Sequence, residues 1–133
     1  ELVADNERLA RRWRPLLGVS ADHRLRAHDQ LAREALLALS SDWAFMISKD
    51  SAAAYAQARH DLHHRRFHQL ADLVEAAAAA PADRSAQERA EALADRLRGT
   101  DGPFGALDSR VMTLAARAHA VAGVPVSAVT TRR

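Results

Sequence analysis

The sequence predicts an all-α chain, an antiparallel bundle of four to five helices, on three observations. Apolar residues recur close to the helical period of 3.6, with no strand-like alternation between them. Helix breakers gather at a few points, Pro15 to Gly18, Pro81 and Gly99 to Pro103, and leave long unbroken runs between. Alanine, the best helix former, fills much of those runs. At 133 residues the chain is most simply one domain. A chain this size buries about two-thirds of its unfolded surface, enough for one core. Residues 1–123 are expected to form that domain and residues 124–133 a frayed tail.

The first helix is expected over residues 2–13, with Leu2, Leu9 and Trp13 as its apolar positions and an end near Pro15 and Gly18. A second follows Ser20 or Asp22. Its face reads Leu25, His28, Leu31, Ala32, Ala35, Leu36 and Leu39. It is expected to reach about Ser40, with a continuation through Trp43 to Ile47. Lys49-Asp50-Ser51 is a break in which Asp50 or Ser51 would cap the next helix. That third helix spans about Ala52 to Ala80 and stops at Pro81. Ser85 and Glu88 have the spacing of a capping box for a fourth helix, which ends at Gly99. Gly99 to Pro103 is a loop, Phe104 to Asp108 is expected to be extended, and Asp108 or Ser109 would cap a last helix ending before Gly123.

Composition excludes several classes. There is no cysteine, so neither a disulfide nor a thiolate metal site exists. This fits a reducing, cytoplasmic setting. No run approaches the ~18 apolar residues of a membrane span, and no signal peptide is visible. The chain opens on Glu1 rather than methionine, as a segment of a longer protein would. A net charge of +2, from 19 basic and 17 acidic residues, is too small to imply a polyanion partner. Arg11, Arg12, Arg14, Arg24 and Arg26 lack the aromatic platforms or recognisable fold of a nucleic-acid reader.

Two features carry chemistry. Tyr55, Arg59, His63 and Phe67 fall four apart, with Leu70 three further on, along one ridge of the long helix. The aromatics at its ends would pack. Between them, a buried Arg59 would need a carboxylate such as Asp42 or Asp108; equally, it could snorkel along the bundle to solvent. His60, His64 and His68 have the i, i+4 spacing of helical metal ligands. No H-E-x-x-H arrangement accompanies them, so they read as a solvated basic face, and no metal or other cofactor is expected. The second feature is Ser41-Asp42-Trp43-Ala44-Phe45. An indole beside a carboxylate suits a sugar ring, with its apolar face and polar rim. On its residues alone Trp43 reads first as a core anchor whose N–H finds a buried partner.

The run from Leu31 to Leu37, then Ser41-Asp42-Trp43-Ala44-Phe45-Met46-Ile47, then Tyr55-Ala56, Arg59, His63, Arg66-Phe67 and Leu70, resembles the C-terminal helical domain of the 1,4-α-glucan branching enzymes of glycoside hydrolase family 57. The likeness covers residues 22–75, with a weaker echo at Phe104-Gly105-Ala106-Leu107-Asp108. There the family pattern has Phe-Pro-x-Ile/Leu-Asp, so Gly105 stands in place of a proline; Ser109 replaces the usual aromatic, while Arg110 is kept. The resemblance implies a catalytic β/α barrel preceding this domain, with a glutamate nucleophile and an aspartate acid/base outside this chain. It implies an α-1,4-glucan substrate, with Trp43 and Asp108 as its contacts; Asp42 beside the indole is expected to accept sugar hydroxyls, and Tyr55, Arg59 and His63 to support the site. No catalytic residue is expected within residues 1–133, and no nucleic acid or membrane partner. The alternative is a non-catalytic helical module that binds a protein.

Overall fold

The computed structural model describes residues 1–50 and 52–112 and is all-helical. Five α-helices follow in order: α1 (Leu2–Leu16), α2 (Arg26–Ala38), α3 (Ser41–Ser48), α4 (Ala53–Ala79) and α5 (Arg84–Arg98), with a 3-10 turn at Ala21–His23 before α2. The expected tail, residues 124–133, and most of the expected last helix lie outside the described residues. Arg110 to Met112 have helical backbone, and Asp108 Oδ1 accepts the Arg110 amide at 2.9 Å.

Helix α4 is the hub, packed on α2, α5 and α3 and touched by α1, and α2 also packs on α5 and α1. Helices α4 and α5 form a hairpin across Pro81, and α3 lies against α4. The core joins Leu9, Ala27, Leu31, Ala35, Phe67, Leu70, Val74, Ala90 and Leu97. Small alanines on α2, α4 and α5 let the helices approach closely, so α2 is buried on nearly every side. Even Gln30, Arg33 and Glu34 are buried there. The apolar period alone does not predict burial of those three.

Several boundaries differ from expectation, each for a local reason. The second helix does not continue into Trp43. It stops at Ala38, and Ser40 caps a new helix by accepting the Asp42 amide on its side chain. Ala52, not Asp50 or Ser51, holds the cap position of α4 and makes no side-chain cap bond. The turn there is built from left-handed backbone at Asp50 (φ 51°) and Ala52 (φ 54°). For alanine this conformation is strained. Asp83, rather than the Ser85/Glu88 box, caps α5: its carboxylate accepts the Ser85 and Ala86 amides. Ser85 falls inside the first turn and accepts from Arg89. Asp83→Ala should therefore lower the melting temperature, while Ser85→Ala should leave it nearly unchanged. Phe104 to Asp108 is not extended, because Phe104 (φ 64°) and Gly105 (φ 51°) both take left-handed backbone.

The histidine face is not solvated. His60 and His64 are buried because α1 crosses α4 there, with Asn6 Oδ1 3.2 Å from His60 Nε2 and 2.9 Å from His64 Nε2. Arg12 reaches over the same seam to Glu75, at 2.8 Å, and to Asp72. Burial, then the neighbouring His60, pushes His64 down to about 4. The unfolded chain therefore takes up a proton near His64's ordinary value of about 6.5, while the folded chain resists until about 4. Above pH 6.5 the seam carries no such penalty; between roughly 6.5 and 4 stability falls with pH. His64→Gln should flatten that decline in urea melts at stepped pH.

Candidate functional site

The joint between α2 and α3 creates the site. A helix end leaves its last carbonyls without partners. Trp43 supplies one: its indole N–H donates to Leu37 O at 2.6 Å. The ring is half-buried. One face lies against His63 of α4, with ring centres 6.5 Å apart and planes 19° from parallel, an offset stack. Trp43 thus satisfies its N–H as a core anchor would, yet keeps part of the ring exposed. Phe45 on the same short helix is 63% exposed and Tyr55 is 57% exposed. Of the two aromatics expected to pack, Phe67 does and Tyr55 does not.

His63 is fully buried beneath the indole. Its Nδ1 lies 2.9 Å from Glu34 Oε2 and 3.7 Å from Asp101 Oδ2. Its Nε2 lies 3.0 Å from Arg59 Nη2. A guanidinium only donates, so Nε2 accepts and the Nδ1 proton goes to Glu34. Arg59 therefore neither pairs with Asp42 or Asp108 nor merely snorkels: its hydrogen-bond partner is His63. Gln30 donates from Nε2 to Glu34 Oε1 at 3.1 Å and to Asp101 O at 2.9 Å. Arg66 donates to the Asp101 carboxylate. Burial raises the Glu34 carboxyl, against the lowering effect of its bond to His63.

Ligand atoms of Glu34, His63 and Asp101 lie within 4.8 Å of one another, a spacing a metal ion could use. The charges argue otherwise. The Asp101 carboxylate already faces the Arg66 guanidinium, and the oxygens of Glu34 and Asp101 already accept from His63, Gln30 and Arg66. A divalent cation would have to displace those donors.

Arg33 holds the loop after α5 in place, donating from Nε to Pro103 O at 3.1 Å and from Nη2 to Gly105 O at 2.6 Å. Asp29 accepts the Ser109 amide at 2.9 Å. Asp108 lies at this end of α2. Arg110, which bonds both its oxygens, and then Arg110's own amide hold its carboxyl at about 2; Arg24 stands 3.3 Å away. Trp43 is anchored at Leu37, toward the opposite end of α2. At 1.5 Å per residue, Asp29 and Leu37 are ~12 Å apart along the axis. The loop aspartate beside His63 is Asp101, with Asp101 Oδ2 3.7 Å from Nδ1. Gly105 bears on this: a proline would fix φ near about −65°, whereas Gly105 has φ 51°. The path into Asp108 here is one that Phe-Pro could not follow.

Trp43, Arg59 and His63 thus come together. Asp42 is exposed in the first turn of α3, where a carboxylate suits the helix dipole. Glu34, Asp101, Gln30 and Arg66 complete the cluster, and sequence reasoning missed them. The available signal was a charged pair, Arg33-Glu34, set within the apolar positions of α2.

The family model described as "1,4-alpha-glucan branching enzyme, C-terminal" matches residues 7–112. Probable 1,4-alpha-glucan branching enzymes from two strains of Mycobacterium tuberculosis are 48% identical over 82 residues, 62% of this chain and 14% of those proteins. A 1,4-alpha-glucan branching enzyme from Thermococcus kodakarensis is 47% identical over 47 residues, 35% of this chain and 7% of that protein. The matched stretch is thus a small part of each curated relative. No solved structure matches. With four-fifths of its length inside the family model, the chain belongs to the C-terminal domain family of the 1,4-α-glucan branching enzymes.

Proposed function

We propose that this chain is a wall of the glucan cleft in a retaining 1,4-α-glucan branching enzyme of glycoside hydrolase family 57, with Trp43 as the floor for a sugar ring. The carrying observation is the mounting of Trp43: its N–H and one face are committed to the protein while part of the ring stays open. The chemistry would lie on a preceding barrel. Retaining enzymes of this kind set two carboxylates about 5–5.5 Å apart and pass through a glycosyl-enzyme. Branching then needs a glucan 6-hydroxyl, rather than water, to attack. A rigid indole beside the acceptor chain would hold it in place and exclude water. Asp42, exposed next to Trp43, would accept sugar hydroxyls. Asp108 would contribute only at the far end of α2, from a carboxylate already paired with arginine.

The chain's own carboxylates support no catalysis. Glu34 is buried in hydrogen bonds to His63 and Gln30, Asp101 is buried against Arg66, and Asp42 and Asp108 sit in separate elements. Residues 1–123 would form the helical domain and residues 124–133 a tail, in a cytoplasmic enzyme. No described helix is long and apolar enough to cross a membrane. The exposed Phe45 and Tyr55 also favour a second reading, a helical module whose aromatic face docks on a protein, the preceding barrel included.

A direct test uses Trp13→Phe, which leaves Trp43 as the sole tryptophan. Maltoheptaose should shift its emission saturably, and cellohexaose should not. No response to either sugar would count against the cleft reading.

A further inference from the structure

Trp43 is mounted on a polar support. His63 occupies a site with no solvent exposure, on the ridge between Arg59 and Phe67. An aliphatic side chain would fill such a space without desolvating charge. Replacing buried ion pairs by apolar residues is often neutral or stabilising. Packing alone therefore gives no reason for a histidine, a glutamate and an arginine here.

What the trio provides is a fixed plane. An imidazole bonded at both nitrogens cannot turn about its Cβ–Cγ bond without breaking one of the bonds. Glu34 Oε2 holds Nδ1 at 2.9 Å and Arg59 Nη2 holds Nε2 at 3.0 Å. Gln30 steadies the other Glu34 oxygen at 3.1 Å. The indole lies 19° from that plane. Its bond to Leu37 O fixes one edge of the ring, and stacking on His63 fixes rotation about that edge.

We propose that His63, locked by Glu34 and Arg59, sets the orientation of the Trp43 indole, so that these three are positioning residues for glucan binding. The glucan half of this statement rests on the cleft reading above; the orientation half does not. A flat ligand face bound by a preset ring avoids the cost of ordering that ring on binding.

The test again uses the Trp13→Phe chain. It reads the near-ultraviolet circular dichroism of Trp43 without sugar, and the maltoheptaose affinity. Arg59→Met keeps the side-chain stem and sits in a half-buried position, so the fold should survive. It should collapse the Trp43 dichroic band and weaken maltoheptaose about fivefold, with the far-ultraviolet spectrum unchanged. Arg59→Lys returns a donor and should restore much of both signals. His63→Leu should act like Arg59→Met if it folds; should it not fold, Arg59→Met carries the test. A band and an affinity unchanged in Arg59→Met would overturn the proposal. If the background chain ignores maltoheptaose, the cleft reading fails, and the sugar-free band still decides whether His63 and Arg59 orient Trp43.

Discussion

Glu34→Ala should be the most damaging single substitution in this chain. Glu34 and His63 are both 0% exposed, and their bond of 2.9 Å joins α2 to α4. Removing the carboxylate strands two donors at once: the His63 Nδ1 proton and one Gln30 Nε2 hydrogen. Leaving a buried donor without its acceptor costs about 1–3 kcal/mol each, because the donor stays desolvated. Domains of this size are stable by only about 5–15 kcal/mol. Urea unfolding should show a midpoint far below wild type, or no folded baseline. Glu34→Gln keeps an acceptor oxygen and should lose distinctly less. Leucine at both Glu34 and His63 should be milder than the two single changes added, since the His63 donor leaves with its acceptor. Equal losses for alanine and glutamine would mean that the site responds to volume rather than to hydrogen bonding.

How far the sequence revealed this structure depended on whether each signal was local. The ends of α4 and α5 were legible because Pro81 and Gly99 are unambiguous stops. The break between α2 and α3 was not, because the apolar period runs on through Leu39 and only the Ser40 side chain marks a new start. Asp83 and Ser85 are both good caps two residues apart, and Asp83 meets the amides first. The left-handed backbone at Phe104 leaves no trace in a phenylalanine. His60 and His64 looked solvated because their partner, Asn6, lies 54 and 58 residues away. The ridge of Arg59 and His63 was legible from spacing, and a protein partner for the Trp43 N–H from its residue type. Glu34 was not, since its bond to His63 spans 29 residues and its neighbours in the chain are apolar. The aspartate question turned on loop geometry. Asp101 follows directly on α5, with its amide bonded to Leu97 O at 2.7 Å, which seats it in the cluster, while Asp108 is carried on to the other end of α2.

The second large effect concerns Trp43 itself. In the branching enzyme proposed to carry this domain, Trp43→Ala removes a half-buried ring whose N–H bonds to the end of α2 and whose face stacks on His63. Fold stability should fall modestly. On the proposed cleft role, the transfer reaction should fall much further, because an acceptor chain that is no longer held would leave the proposed glycosyl-enzyme open to water. A tenfold change in partition corresponds to about 1.4 kcal/mol of differential transition-state binding, within reach of one ring. The measurement is the ratio of new α-1,6 branches to new reducing ends formed from amylose. The account predicts that Trp43→Ala lowers this ratio about tenfold or more, with Phe at the same position in between. A ratio identical to wild type in a folded variant would contradict it, and would leave Trp43 as a helix-joint anchor with no part in holding glucan.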